Sequence, residues 1–487
     1  MITRFLGAAA LALLMLTPVG AQGQTLELED CRINAGPGFP GIKARCASLP
    51  RPLDPEAPDG ETITLRLAVV PALSLEPAPD PVVPIAGGPG QASTDFYAST
   101  FSAFEDLRRD RDIVLVDQRG TGDSAPLTCD IDDSVLQGQF SPDQTESLTR
   151  ECLEALPYDP RFFTTSVAVR DLEAVRVALG YEKFNVYGVS YGTRVAQHFA
   201  RRYPASTRSV ILDGVVPPQL ALGPAIAIEA QRAMTRIFDR CAEDPECGER
   251  FPGLSARFDQ LLAQLTAEPV EISLRHPLSG QVESLSYGVN ELTGAVRLLS
   301  YHPTSIALLP LLIDEAASGN YQPLAAQFLS VRDSFAESLS IGMHNSVVCT
   351  EDAPFFAGEG ISDQELDATY IGPLLLGALS ATCKVWPAGV IDADFKEPLA
   401  TDIPVLLLSG EVDPITPPRY ADLAAVDLEN ALLLTGELQG HGLAPRGCTD
   451  SVMAEFVATA DPIAVDDDCF DRHFAMPFFL DFSGPSP

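Results

Sequence analysis

The sequence predicts an α/β protein: a mostly parallel sheet covered by helices on both faces, with a large, mainly helical insertion. Three observations predict it. Near-continuous apolar strand runs alternate with segments of helical period up to about residue 213, the pattern of parallel strands buried on both faces. The rhythm then breaks near Pro217 and resumes at Ile403. Finally, Gly188-Val189-Ser190-Tyr191-Gly192 joins a strand-like run to a helical pattern, which turns a common pentapeptide into a sharp strand-to-helix corner carrying a serine.

Taken in order, residues 25 to 80 read as β structure with Pro-rich turns, and the alternation from Thr62 to Val69 suits a half-buried strand. Pro81 to Ala86 is an apolar run broken by Gly87-Gly88-Pro89-Gly90. Ile113 to Asp117 is another, ending in Gln118-Arg119-Gly120-Thr121-Gly122-Asp123-Ser124. Val169, Leu172, Val175 and Leu179 share one face of a helix over 166–179, with Gly180 as its C-terminal stop. Phe184 to Tyr187 is the strand before the serine. After it, Val195, Ala196, Phe199 and Ala200 line one side of a helix and Arg194, Gln197, Arg201 and Arg202 the other, until Pro204. Ser209 to Leu212 forms the next strand. The inserted stretch is mostly helical, as over Ile226–Arg240 and Leu254–Leu265, with one hairpin between Val270 and Tyr287. Ile403 to Gly410 and Ala431 to Leu434 restart the sheet. The expected organisation is a signal peptide over 1–21, a first part of the core over 22–217, a mainly helical cap over 218–400, and the rest of the core over 401–487. Such a cap would sit above the C-terminal ends of the strands, where open α/β sheets place their ligands.

The opening segment has Arg4 ahead of the apolar run Phe5 to Leu16 and a Val19-Gly20-Ala21 tail of small residues, the pattern of a secretory signal. About a dozen strongly apolar residues is short for a membrane span, and no later run reaches about 18. Ten cysteines agree with export to an oxidising compartment. They fall into five sequential neighbours, Cys31 and Cys46, Cys129 and Cys152, Cys241 and Cys247, Cys349 and Cys383, Cys448 and Cys469. No C-x-x-C occurs and the histidines are scattered, so neither a metal nor another cofactor is expected. The net charge of −35 argues against nucleic acid and anionic membrane as partners. An acidic surface would favour cationic substrates such as peptide N-termini, although solubility alone explains it as well.

A serine hydroxyl is a poor nucleophile at neutral pH and needs a base, which in turn needs an orienting carboxylate. On a strand-turn-helix serine these follow in the order Ser, acid, His. Asp413, just past the strand ending at Gly410, is the candidate acid, with Glu411 its rival; its alternative role is a turn aspartate before Pro414. His441, between Gly440 and Gly442, is the candidate base. His198 points elsewhere on the helix after the serine; His276, His302 and His344 precede Asp413, and His473 follows far behind. An oxyanion would be held by the amides of Tyr191 and Gly88, with Gly87 next in line.

Together these segments resemble the secreted tripeptidyl aminopeptidase and proline iminopeptidase family of serine α/β-hydrolases. The resemblance rests on Gly87 to Gly90, Asp117 to Ser124, Gly188 to Thr193 and Gly410 to Pro417, in order over about 80 to 450. It implies the α/β-hydrolase fold, an exopeptidase cleaving from a free N-terminus, a helical cap, and a C-terminal segment of the tripeptidyl aminopeptidase type. Ala86 stands where proline iminopeptidases often carry a histidine, and the family's acidic cap residues find no match by motif. Physics suggests Glu351 and Asp352, beside Cys349, as the carboxylates that would hold a substrate ammonium; solvated surface acids are the other reading. An esterase would use the same triad. A silent binding protein would keep the fold, but an intact Ser, Asp and His in order speaks against it.

Overall fold

The computed structural model describes residues 26–34, 41–129, 141–470 and 475–484, apart from the side chains of 335–337. The expected signal segment, Met1 to Ala21, and His473 lie outside the described residues. The strands are β1 (Glu29–Ile33), β2 (Ile42–Pro52), β3 (Thr62–Val70), β4 (Val82–Ile85), β5 (Ile113–Val116), β6 (Phe184–Val189), β7 (Thr207–Asp213), β8 (Val270–Arg275), β9 (Val282–Tyr287), β10 (Val405–Gly410) and β11 (Ala431–Gly436).

Nine of them form one sheet in the order β1-β2-β3-β5-β4-β6-β7-β10-β11. The first three pair antiparallel, as does β3 with β5, and every later pair is parallel. β4, β5, β6 and β10 are buried along their whole length, which is why their sequences run apolar without alternation. β3 alternates only in its first half, where one face meets water. The two faces carry separate cores. Leu67, Val83, Val186 and Val210 pack with Val169, Val195 and Phe199 on one side. On the other, Tyr187, Ile211 and Leu406 pack with Phe96, Phe104 and Phe456.

Between β7 and β10 the chain leaves the sheet and builds a third core around Met234, Phe258, Leu292, Val296 and Leu312, joined by the two-stranded β8–β9 hairpin. Register brings the strand ends level: Val189 lies opposite Asp213, Leu408 also opposite Asp213, and Gly410 opposite Gly436. The turns that follow β6, β7, β10 and β11 therefore open at one edge of the sheet, which is where a site can be assembled from residues far apart in sequence.

The polar side of the helix Tyr191–Arg202 is not a water-facing surface. Arg194, Gln197 and His198 are buried. Arg194 Nη1 meets Asp352 Oδ1 at 2.9 Å, Gln197 Nε2 donates to Val216 O at 2.9 Å, and His198 Nε2 lies 2.9 Å from Asp392 Oδ2. The segment after β7 and the insertion cover that side, and each of these three side chains finds at least one partner there, as burial demands, although Arg194 Nε and Gln197 Oε1 have none among the described residues.

The five disulfides link Cys31 to Cys46, Cys129 to Cys152, Cys241 to Cys247, Cys349 to Cys383 and Cys448 to Cys469. Such bonds persist outside the reducing cytosol, so the chain is suited to an extracellular or periplasmic setting. Among the described residues no helix is long and apolar enough to cross a membrane.

Candidate active site

Ser190 caps the helix Tyr191–Arg202 with φ 56° and ψ −125°. A non-glycine residue held there costs about 1–3 kcal/mol and persists only where its surroundings enforce it. Here Ser190 N donates to Asp213 O at 2.9 Å, and Thr193 Oγ1 donates to Ser190 O at 2.6 Å. Thr193 Oγ1 in turn accepts Val216 N at 2.8 Å. The two glycines are required by space. A Cβ on Gly188 would run into Gly192 O, and one on Gly192 into Ile85 O. Tyr191, the first helical residue, has an amide with no partner inside the helix, so it is free to face a developing oxyanion.

His441 Nδ1 donates to Asp413 Oδ2 at 2.8 Å. Asp413 Oδ1 also accepts the amides of Ile415 and Thr416, each at 2.9 Å, and Thr416 Oγ1 donates to Oδ2 at 2.7 Å while lying 3.0 Å from His441 Nδ1. Burial alone would raise the Asp413 pKa, but the charge and hydrogen bond of His441 and the Thr416 bonds overcome it, and the carboxyl ends below its ordinary value. Burial likewise pushes His441 down, yet Asp413 wins there too, and the imidazole ends above 6.5. Glu411, the rival acid, accepts Leu438 N at 2.9 Å and lies 3.4 Å from Arg236.

The base loop is pinned from three sides. His441 N donates to Tyr301 O at 2.8 Å, and the Tyr301 ring meets the imidazole edge-on at 5.1 Å between centroids. Asp213, at the end of β7, accepts the amides of Leu443 and Ala444 at 2.7 and 2.8 Å and the Tyr187 hydroxyl at 2.8 Å. The Cys448–Cys469 bond closes the segment that follows. On the opposite wall, a Cβ on Gly87 would stand 3.0 Å from the Ser190 Cβ, so this backbone passes directly beside the serine. Gly88 follows with φ 107°. The insertion reaches this loop as well: Ser340 N donates to Gly90 O at 3.0 Å, and His344 Nδ1 lies 3.3 Å from Pro89 O.

Ser190, His441, Gly87 and Gly88 line one cleft of about 550 Å³, roofed by Leu222, Ile226, Leu339 and Leu379 from the insertion. A family model described as alpha/beta hydrolase fold matches residues 80–238, and one described as TAP-like protein matches residues 369–469. The chain has the α/β-hydrolase fold and is a serine hydrolase. The hydrolase is 26% identical to the serine protease Hip1 of Mycobacterium tuberculosis over 89% of this chain and 88% of that one. It is 31% identical to the tripeptidyl aminopeptidase of Streptomyces coelicolor over 27% of each chain. Among solved structures it is similar to the proline iminopeptidase of Mycobacterium smegmatis, at 16% identity and TM-score 0.41, over 86% of this chain and 99% of that one.

The acids Glu351 and Asp352 sit elsewhere than expected. Neither lines the cleft, and neither is a solvated surface acid. Glu351 accepts Thr165 N at 2.7 Å and Thr165 Oγ1 at 2.9 Å, and the same hydroxyl lies 2.6 Å from Tyr191 Oη. Asp352 pairs with Arg194 and accepts Leu222 N at 2.8 Å. Both belong to the packing between the hydrolase sheet and the insertion. The last turn of the helix Ile341–Glu351 is buried through Cys349, Thr350 and Glu351, and Asp352 at its C-terminal end is buried as well. Sequence reading missed Asp213, Tyr301 and Thr416. Thr416 had a signal, its place three residues after Asp413 in a proline-bounded turn, where a hydroxyl can turn back onto the carboxylate. Tyr301 had none, because its partner is 140 residues away.

Proposed function

We propose that this hydrolase is an exported serine exopeptidase of aminopeptidase type, with Ser190 as nucleophile, His441 as base and Asp413 as its orienting acid. The observation that carries the reading is the 2.8 Å bond between His441 and Asp413, made in the cleft that the strained Ser190 turn also enters. In this scheme Ser190 Oγ attacks the scissile carbonyl and passes its proton to His441. The imidazolium, stabilised by Asp413, then protonates the leaving amine, and water resolves the acyl-enzyme by the same route. The amides of Tyr191 and Gly88 hold the oxyanion. The N-terminal mode of attack is supported by likeness to the tripeptidyl aminopeptidase and by a roof over the cleft that suits chain ends better than continuous polypeptide. Export is supported by the disulfides, with Met1 to Ala21 as the signal.

Peptidyl arylamides with free and with blocked N-termini, run beside p-nitrophenyl esters, test the reading. Faster cleavage of the free arylamides is expected. Turnover of esters without arylamide cleavage would make the protein an esterase, and indifference to blocking would remove the exopeptidase assignment.

A further inference from the structure

The cleft is charged against the grain of the molecule. The chain carries 67 acidic and 32 basic residues, yet Asp213 is the one carboxylate among the described residues lining the cleft, beside two arginines, Arg297 and Arg446. Asp213 is already engaged, since Leu443 N, Ala444 N and the Tyr187 hydroxyl occupy its two oxygens. It offers little to an incoming ammonium.

The arginines differ from others in this fold. Arg119 and Arg194 are buried and ion-paired, to Asp171 and Asp352. Arg297 and Arg446 are half-buried, and among the described residues neither is ion-paired to a carboxylate. Arg297 Nη1 donates to Tyr301 Oη at 3.0 Å, and Arg446 Nη2 donates to His302 Nδ1 at 2.7 Å. Burial lowers the Arg446 pKa, and the Asp213 charge offsets it only in part. A half-desolvated guanidinium that spends one N–H on a neutral acceptor retains the donors and the charge to take an oxyanion in a forked geometry.

Both are also placed about the base. Tyr301 and His302 are consecutive, Arg446 is five residues past His441, and the two segments are tied by His441 N donating to Tyr301 O at 2.8 Å. We propose that Arg297 and Arg446 form an anion subsite beside His441 that binds a carboxylate of the substrate, either an acidic side chain or the free C-terminus of a short peptide. The subsite deepens the peptidase reading and rests on Ser190 being the reacting group only for its position relative to the scissile bond. It adds recognition of the substrate's negative group to the proposed preference for a free N-terminus, and does not replace the ammonium contact that the buried Glu351 and Asp352 cannot make in this fold.

The test is peptide binding to Ser190→Ala protein, using short alanine peptides as free acids or C-terminal amides, and amidated peptides with Glu or Gln at each position. One acidic member should bind about tenfold more tightly than its neutral isostere, as a charge-assisted pair would give. A free-acid preference identifies the C-terminus, and a Glu-over-Gln preference identifies a side chain. The preference should fall below about threefold in Arg446→Gln and Arg297→Gln, recover in part in Arg446→Lys, and shrink as salt is raised. Isosteres that bind within twofold of one another on the arginine-intact protein overturn the subsite, as does a preference that survives both substitutions. Wild-type turnover of the neutral peptides is followed in parallel. Its absence beside an intact acidic preference sinks the hydrolytic role of Ser190 and leaves the subsite standing.

Discussion

Ser190, His441, Asp413 and Thr416 each make a separable prediction. Ser190→Ala should lower kcat by several orders of magnitude, on the order of a millionfold where a triad acts as a unit. Retention of a tenth of the activity would remove Ser190 from the chemistry. Because Asp413 holds His441 above its ordinary 6.5, and the base works only when neutral, kcat/KM should climb with pH through a midpoint above 6.5. Asp413→Asn should lower that midpoint as well as the rate, which a pH profile of the residual activity would read. Thr416→Val takes a 2.7 Å donor from the buried carboxylate, and a loss of about ten- to a hundredfold in kcat is expected, with Thr416→Ser restoring most of it. Equal losses in the serine and valine variants would mean that shape, and not the hydroxyl, matters there.

Among the elements, the turn between β6 and the helix Tyr191–Arg202 is the most constrained. Gly192→Ala would press a methyl onto Ile85 O, so either β4 or the helix must move; a stability loss of about 1–3 kcal/mol is expected, together with loss of activity, measured by urea unfolding and turnover. This element was legible in the sequence because its rules are local. A buried strand, a glycine on each side of the serine and an amphipathic helix all fall within twenty residues. What the polar side of the same helix meets was not legible, for the opposite reason. Whether Arg194 meets water or Asp352 depends on a segment over 150 residues away. The loop after β11 shows both cases: glycines around His441 announce a tight approach, but its clamp by Asp213 exists only once β7 and the loop are adjacent.

For the whole molecule, the seam between sheet and insertion should make stability depend on pH. Glu351 is fully buried, and that burial, partly offset by Arg194, pushes its pKa up to about 7 from an ordinary 4.5. The native state therefore holds this proton more tightly than the unfolded chain between those values. The associated stability is present below about pH 4.5 and is lost as pH rises toward 7, by roughly 3 kcal/mol. Glu351→Gln should flatten that part of the profile of Tm against pH; an unchanged slope would show that other groups set it.

Sequence alone determined the class of fold and the strand-to-helix serine, and it supplied the proposed order of acid and base and the oxidising setting that ten cysteines suggest. Each is written in a short window, where periodicity, turn chemistry and motif spacing act on neighbouring residues. Tertiary structure decided what lines the cleft beside the serine: it withdrew Glu351 and Asp352 into the packing seam and placed Arg297 and Arg446 in the cleft wall with His441. Those positions follow from how an inserted block of helices seats on a sheet, and the free energy of that seating is spread over contacts between residues hundreds of positions apart.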